Sequence, residues 1–208
     1  MDFERMQQQD EFVKRVEAAR IGKRYKDCTF AKLDARGIPD IVAKQYAEVK
    51  TYAANLDEHI KSGTGLILRG PVGTMKTTMA VAVLMQHLHS GGRGLFITMA
   101  SLLDTIFSLK HKNAEEWARF ENDIRTAKII LIDDLGAEYT EGWVKTKVDS
   151  IISERYNACL PTLITTNLSG KDLQNTYAER VLDRIRSTAV DVVFNGKSLR
   201  AKAVAAVG

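Results

Sequence analysis

The residues most able to do chemistry begin with the run GLILRGPVGTMKTT, residues 65–78. Gly70, Gly73, Lys76 and Thr77 stand at the places of a phosphate-binding loop of pattern GxxxxGK[ST], and Pro71, Val72, Thr74, Met75 and Thr78 complete the loop and the first turn behind it. Successive backbone N–H groups in such a loop curl into a nest for phosphate oxygens, and the following helix adds the positive end of its dipole. The lysine is expected to reach the β- and γ-phosphates and the threonine hydroxyl to ligate magnesium, so ATP and magnesium are the expected cofactors. Met75 departs from the pattern, which wants glycine before the lysine. A Cβ there hinders the backbone geometry and the close phosphate approach that glycine allows.

Further along, KIILIDDLGAE (residues 128–138) is an aliphatic run that ends in two carboxylates, Asp133 and Asp134. Buried carboxylates are costly unless paired or metal-bound. Asp133 is expected to hold magnesium through water, and Asp134 to polarise an attacking water. The run PTLITTNLS ends in Asn167, which fits a group that holds the attacking water or the γ-phosphate; a helix cap or Asx-turn is the plainer reading of the same residue. In ERVLDRIR, residues 179–186, Arg180 and Arg184 share one helix face. That face is either a solvated basic stripe or an arginine finger reaching a neighbouring subunit's ATP. Arg200 is a candidate second sensor of the γ-phosphate within its own subunit.

These groups need a scaffold that delivers them to one place. From residue 65 onward short apolar runs alternate with helical patterns. Strands are expected at 65–70, 94–99, 128–134, 161–167 and 189–195, and helices at 76–89, 101–110, 114–127 and 143–156, with one more ending at Ser187. Continuous apolar strands separated by helices imply a parallel α/β sheet covered on both faces, with ligands at the carboxyl ends of the strands. Residues 1–20 have helical spacing through Phe3, Met6, Phe12 and Val16. They either pack on the domain or reach a partner. A second helix is expected after Ile38-Pro39, through Ile41, Tyr46, Val49 and Tyr52.

The 208 residues suffice for a single α/β domain with a short extra segment. Thirty Lys and Arg against 26 Asp and Glu give +4, an excess that permits nucleic-acid contact without arguing for it. Cys28 and Cys159 lack metal or disulfide spacing and suit a reducing cytosol. The polar N-terminus and the lack of a long apolar run argue against a signal peptide and a membrane span, so a cytoplasmic location is expected.

Together these residues resemble the DnaC/IstB-like AAA+ ATPases, the loaders of replicative helicases and the helper ATPases of certain transposons. The likeness runs from about Arg24 to Arg200 and is carried by RYKDCTF, GPVGTMKTT, KIILIDDLG, TLITTN, ERVLDRIR and FNGKSLR in that order. It implies a five-stranded parallel sheet of order 5-1-4-3-2 with a nearly absent lid, an AAA+ domain over 51–208, and a partner-binding segment and linker over 1–50. It further implies ATP-driven assembly into open rings or spirals; if a finger from the neighbour completes each site, ATP hydrolysis is expected to be weak in the monomer. The implied partners are a hexameric replicative helicase and single-stranded DNA. Arg184 is then the finger, Arg200 the second sensor, and Tyr25 and Phe30 candidates to approach the adenine.

Trp143, with Lys145 and Lys147 beside it, is a candidate to stack a DNA base and hold phosphates, or simply packs on its own helix. Trp117, Phe120 and Ile124 are most simply core. His87 and His89, two apart on a helix, point to different faces and do not make a metal pair. A transposition helper that remodels DNA uses the same motifs. A non-hydrolysing nucleotide-gated adaptor is the reading Met75 favours. A small-molecule kinase leaves Asp134 and Asn167 together without a reason.

Overall fold

A computed structural model describes residues 2–110, 113–136 and 142–200. The chain opens with α1 (Asp2–Ala18), a 3-10 turn at Lys23–Tyr25, α2 (Phe30–Arg36), α3 (Asp40–Ala54) and α4 (Leu56–Ser62). Then follow β1 (Gly65–Arg69), α5 (Lys76–His89), β2 (Gly94–Thr98), α6 (Met99–Lys110), α7 (Ala114–Thr126) and β3 (Ile129–Asp133). The chain continues through α8 (Gly142–Asn157), β4 (Thr162–Thr166), α9 (Gly170–Thr176), α10 (Glu179–Ser187) and β5 (Ala189–Val193).

All four strand pairings are parallel and the sheet order is β2-β3-β4-β1-β5, the expected 5-1-4-3-2 read from the other edge. Period-two alternation divides the strand side chains between two cores. Leu66, Leu68, Phe96, Ile129, Leu131 and Leu163 face one core, together with α5 and the helices before β1. Ile67, Leu95, Ile97, Ile130, Ile132 and Ile164 face the other, with residues of α6 to α10. Helices thus cover both faces, which is why the strands read as unbroken apolar runs.

The N-terminal segment packs on the domain. Val16, Ala19, Ile21, Val42, Tyr46 and Val49 lie in the same apolar core as α5. Arg15 Nε donates to the Leu88 carbonyl at 2.9 Å, and the Phe96 N–H of edge strand β2 donates to the Ala19 carbonyl at 2.8 Å. That last bond covers part of an otherwise open sheet edge.

Three helices had no counterpart in the sequence expectations: α2, α4 and α9, each seven residues long. Two turns are too short to display an apolar period. Their capping chemistry is nevertheless written locally. Thr29 Oγ1 accepts from Lys32 N at the start of α2, and Ser169 with Asp172 forms a reciprocal capping box at α9. Residues 201–208, on which the near-absent lid bears, lie outside the described residues. No helix among the described residues is long and apolar enough to cross a membrane.

Candidate functional site

The phosphate loop joins β1 to α5 at the carboxyl end of the sheet. At Gly70 (φ +142°) the chain turns beneath the segment that follows β5, and a Cβ there would lie 2.2 Å from the Phe194 carbonyl oxygen. At Gly73 (φ +78°) a Cβ would meet Ser198 Oγ at 2.0 Å, while Leu199 N–H donates to the Gly73 carbonyl at 2.9 Å. Residues 194–199 therefore clasp the loop directly, which only two glycines permit. Thr74 Oγ1 closes the loop internally on the Pro71 carbonyl at 2.8 Å. Met75 has φ +67°, ψ +12°, the left-handed conformation in which the motif glycine is at ease. The chain accepts that geometry at a cost of about 1–2 kcal/mol. The thioether side chain packs against the core. Met75 also offers no side-chain acceptor to the first turn of α5, whose N–H groups remain for an anion.

From this turn Lys76, only 5% exposed, folds back over the loop. Its Nζ donates to the carbonyls of Gly70 (2.8 Å) and Pro71 (2.7 Å) and to Asn167 Oδ1 (2.9 Å). Burial brings its pKa down to about 8, against the opposing pull of Asp134 and Asp133. One residue on, Thr77 Oγ1 donates to Asp133 Oδ1 at 2.7 Å. Asp133 ends β3, is nearly buried, and has its carboxyl pKa pushed up by that burial. The hydroxyls of Thr165 (2.6 Å) and Thr77 oppose the shift by donating to it. Asp134, at φ +57°, turns the chain out of the strand; its N–H donates to Thr165 Oγ1 at 3.0 Å, and its Oδ1 accepts from Asn167 Nδ2 at 3.1 Å. Lys76, Asn167 and Asp134 thus form one hydrogen-bonded chain, and Thr77, Asp133 and Thr165 a second beside it.

A cleft of about 600 Å³ opens over these groups. Val72 to Thr78, Asp134, Asn167, Tyr25 and Arg200 line it, with Arg24, Leu33, Arg36, Gly37 and Leu199 completing the wall. Arg200 arrives there because the loop clasp holds the segment just before it. The Tyr25 phenol pKa is raised, first by burial and then by Asp133. Phe30 is not in the cleft. It opens α2 with its ring 6.0 Å from that of Tyr46 and lines an apolar groove with Phe12 and Val13. Its neighbours in RYKDCTF are separated from it by a turn of chain, which spacing alone does not reveal. Arg24 and Arg36 escaped the sequence reading because nothing in an isolated arginine says which cleft it borders. Thr165 was hidden in an ordinary apolar strand.

Arg184 lies elsewhere. It borders a hollow at the opposite end of the sheet, with Gly65, Thr162 and Ala189 at the amino ends of β1, β4 and β5. The structure therefore does not bring it to Lys76 of its own chain. Of the basic-aromatic candidates, Lys147 is engaged within the chain. Lys147 pairs with Glu121 and its Nζ sits 5.1 Å from the ring centre of Trp117, so that Trp117 is its aromatic neighbour. Lys145 is half-buried, and the side chain of Trp143 lies outside the described residues.

The donor set suits a nucleoside triphosphate with magnesium. Three consecutive features point the same way: a glycine-bearing nest, a buried ammonium at its mouth, and a hydroxyl–carboxylate pair from Thr77 and Asp133. The comparisons with known proteins point to ATP binding. The sequence model of the family described as IstB-like ATP binding protein matches residues 4–206. The chain is 24% identical over 181 residues to the replicative helicase loader DnaC of Escherichia coli K12, covering 86% of this chain and 71% of that protein. It is 26% identical over 152 residues to the replicative helicase loader DnaI of Bacillus subtilis 168, covering 66% and 48% of the two. In fold, a crystal structure of the DnaC helicase loader superposes with a TM-score of 0.74 at 24% identity, over 84% of this chain and 100% of that one.

Proposed function

The chain belongs to the family of IstB-like ATP-binding proteins, and from that premise we propose that it hydrolyses ATP to load a ring-shaped replicative helicase onto single-stranded DNA. The observation that carries the hydrolytic part is the pair of hydrogen-bonded chains linking Lys76, Asn167 and Asp134, and Thr77, Asp133 and Thr165. The loading part is supported by the relatives named replicative helicase loader.

In this reading the triphosphate lies in the nest of residues 70–78, and Lys76 trades its loop carbonyls for β- and γ-phosphate oxygens. Thr77 and Asp133 hold magnesium, which when bound neutralises charge on the phosphate oxygens. Asp134 accepts a proton from the attacking water while Asn167, hydrogen-bonded to it, keeps that water in line with the γ-phosphate. Arg200 steadies the γ-phosphate from within the subunit. Arg184 completes the site of the adjacent subunit, so the protein acts as an ATP-assembled ring or spiral and turns over weakly as a monomer. Tyr25 borders the nucleotide beyond its phosphates. Residues 1–50 supply the partner-binding segment, and 51–208 the ATPase unit that they pack against.

The test is a loading assay with the host's hexameric helicase on closed circular single-stranded DNA. ATP-dependent transfer of the helicase, abolished by Lys76→Ala together with nucleotide binding, is the expected result. Filaments on duplex DNA without any helicase association would instead move the reading to a transposition helper.

A further inference from the structure

We propose that Asp149 is a positioning residue for the arginine finger: it grips one edge of the Arg184 guanidinium in advance, so that the opposite edge is presented to a neighbouring subunit's γ-phosphate. The inference rests on the reading of Arg184 as the finger and adds to it a device for aiming the side chain.

The geometry is one-sided. Asp149, on α8, is 8% exposed, and its Oδ1 accepts from Arg184 Nη1 at 3.5 Å and from Ser153 Oγ at 3.0 Å. Ser153 Oγ in turn accepts from the same Arg184 Nη1. Both grips are thus on Nη1, while Nε and Nη2 of Arg184 make no hydrogen bond among the described residues. A guanidinium carries five N–H donors in a rigid planar fork, so fixing one nitrogen fixes the direction of the others. The Tyr156 ring lies 5.9 Å from the guanidinium carbon and limits how the plane can rotate. The other carboxylate oxygen, Oδ2, is taken by Arg180 from one turn earlier on α10.

The charge balance favours an incoming anion. Two arginines share one carboxylate, which leaves the cluster with one positive charge in excess. A plain structural ion pair between α8 and α10 would need only one arginine, and would gain most from two parallel N–H···O bonds along one edge of its guanidinium. Here Arg184 is a third exposed and keeps an edge free. A long side chain that is already ordered loses less freedom when it meets the phosphate, which is the general advantage of preorganisation.

The experiment compares the full-length wild type with Asp149→Asn, Ser153→Ala, Arg184→Ala and the Asp149→Asn/Arg184→Ala double variant. Each is assayed under assembling conditions with single-stranded DNA for ATP turnover, nucleotide affinity and thermal unfolding. Asp149→Asn is expected to lower kcat about ten- to a hundredfold, with nucleotide Kd within about twofold of wild type. Ser153→Ala, which removes a hydroxyl only, is expected to lower kcat in the same direction by a smaller factor. In the Arg184→Ala background, Asp149→Asn is expected to have no further effect on kcat. An equal fall in kcat with and without Arg184 would overturn the proposal, since it would make Asp149 merely structural. So would wild-type kcat in both Asp149→Asn and Ser153→Ala while Arg184→Ala is inactive; the finger would then stand and its aiming device would not. Undiminished turnover in Arg184→Ala would remove the finger itself, and the present inference with it.

Discussion

At the scale of single residues, Met75 is the most informative. The motif asks for glycine because the backbone turns left-handed there, and methionine adopts that turn at φ +67°. Its side chain packs back on the core. The nest therefore keeps its shape, and the substitution is felt as local strain of about 1–2 kcal/mol. Met75→Gly relieves that strain and loses the thioether's packing, two terms that act on the folded chain with and without nucleotide alike and so largely cancel in binding. Nucleotide Kd measured by calorimetry is expected to stay within about threefold of wild type, well under the roughly 1.4 kcal/mol that a tenfold change requires. A tenfold tightening would show instead that the side chain obstructs the phosphates. His87 offers a second residue-level test. Burial lowers its pKa below the ordinary 6.5, and its Nε2 is buried without a hydrogen-bond partner among the described residues. The unfolded chain then binds the extra proton first, so stability is full above pH 6.5 and declines as the pH falls through that value. Denaturant unfolding at pH 7 and pH 5 is expected to show this decline, and His87→Leu to make it shallower. His59, lowered by burial in the same direction, leaves a residual slope.

At the scale of elements, the sheet's amino end is tied together by one side chain. Arg155 of α8 is fully buried, and its guanidinium donates to the carbonyls of Ile124 (3.0 Å), Ala127 (2.8 Å) and Pro161 (2.8 Å) and to Thr162 Oγ1 (3.0 Å). It thereby satisfies carbonyls at the end of α7 and fastens them to the start of β4. Burial brings its pKa down to about 9, and no carboxylate partners it among the described residues. Replacing it with Met leaves several buried carbonyls unmatched, so Arg155→Met is expected to cost about 3 kcal/mol or more in chemical denaturation. Arg155→Lys is expected to recover little, because an ammonium lacks the planar fork that reaches all four acceptors. Nucleotide affinity of whatever folds should be nearly unchanged, as the cleft lies at the other end of the strands.

At the scale of the whole molecule, that separation of ends keeps Arg184 away from the cleft of its own chain. Lys76 and Arg200 border the cleft at the carboxyl ends of the strands, and Arg184 borders a hollow at their amino ends. A rigid sheet cannot bring the two together within one subunit. If Arg184 serves a neighbour, Arg184→Ala and Asp134→Ala proteins are each nearly inactive alone. Mixed, they are expected to recover turnover, because some interfaces then pair an intact Asp134 with an intact Arg184. Recovery is read as ATP hydrolysis at equal total protein; none at any mixing ratio would count against a shared site.

The linear chain already marked the five strands, the sheet's order through its family likeness, and the glycine-lysine-threonine and paired-aspartate runs that the fold brings together. The runs themselves are local: an apolar run announces a strand whatever lies beside it, and a glycine-lysine-threonine run announces a nest whose atoms are neighbours in the chain. Only the folded molecule decided that Thr165 would hold Asp133, that Arg24 and Arg36 would border the cleft while Phe30 would not, that Lys147 would turn to Glu121, and that Asp149 would hold Arg184. Each of those depends on contact between side chains far apart in the chain, set by strand register and helix packing, and no pattern within a short window records which distant partner will be reached.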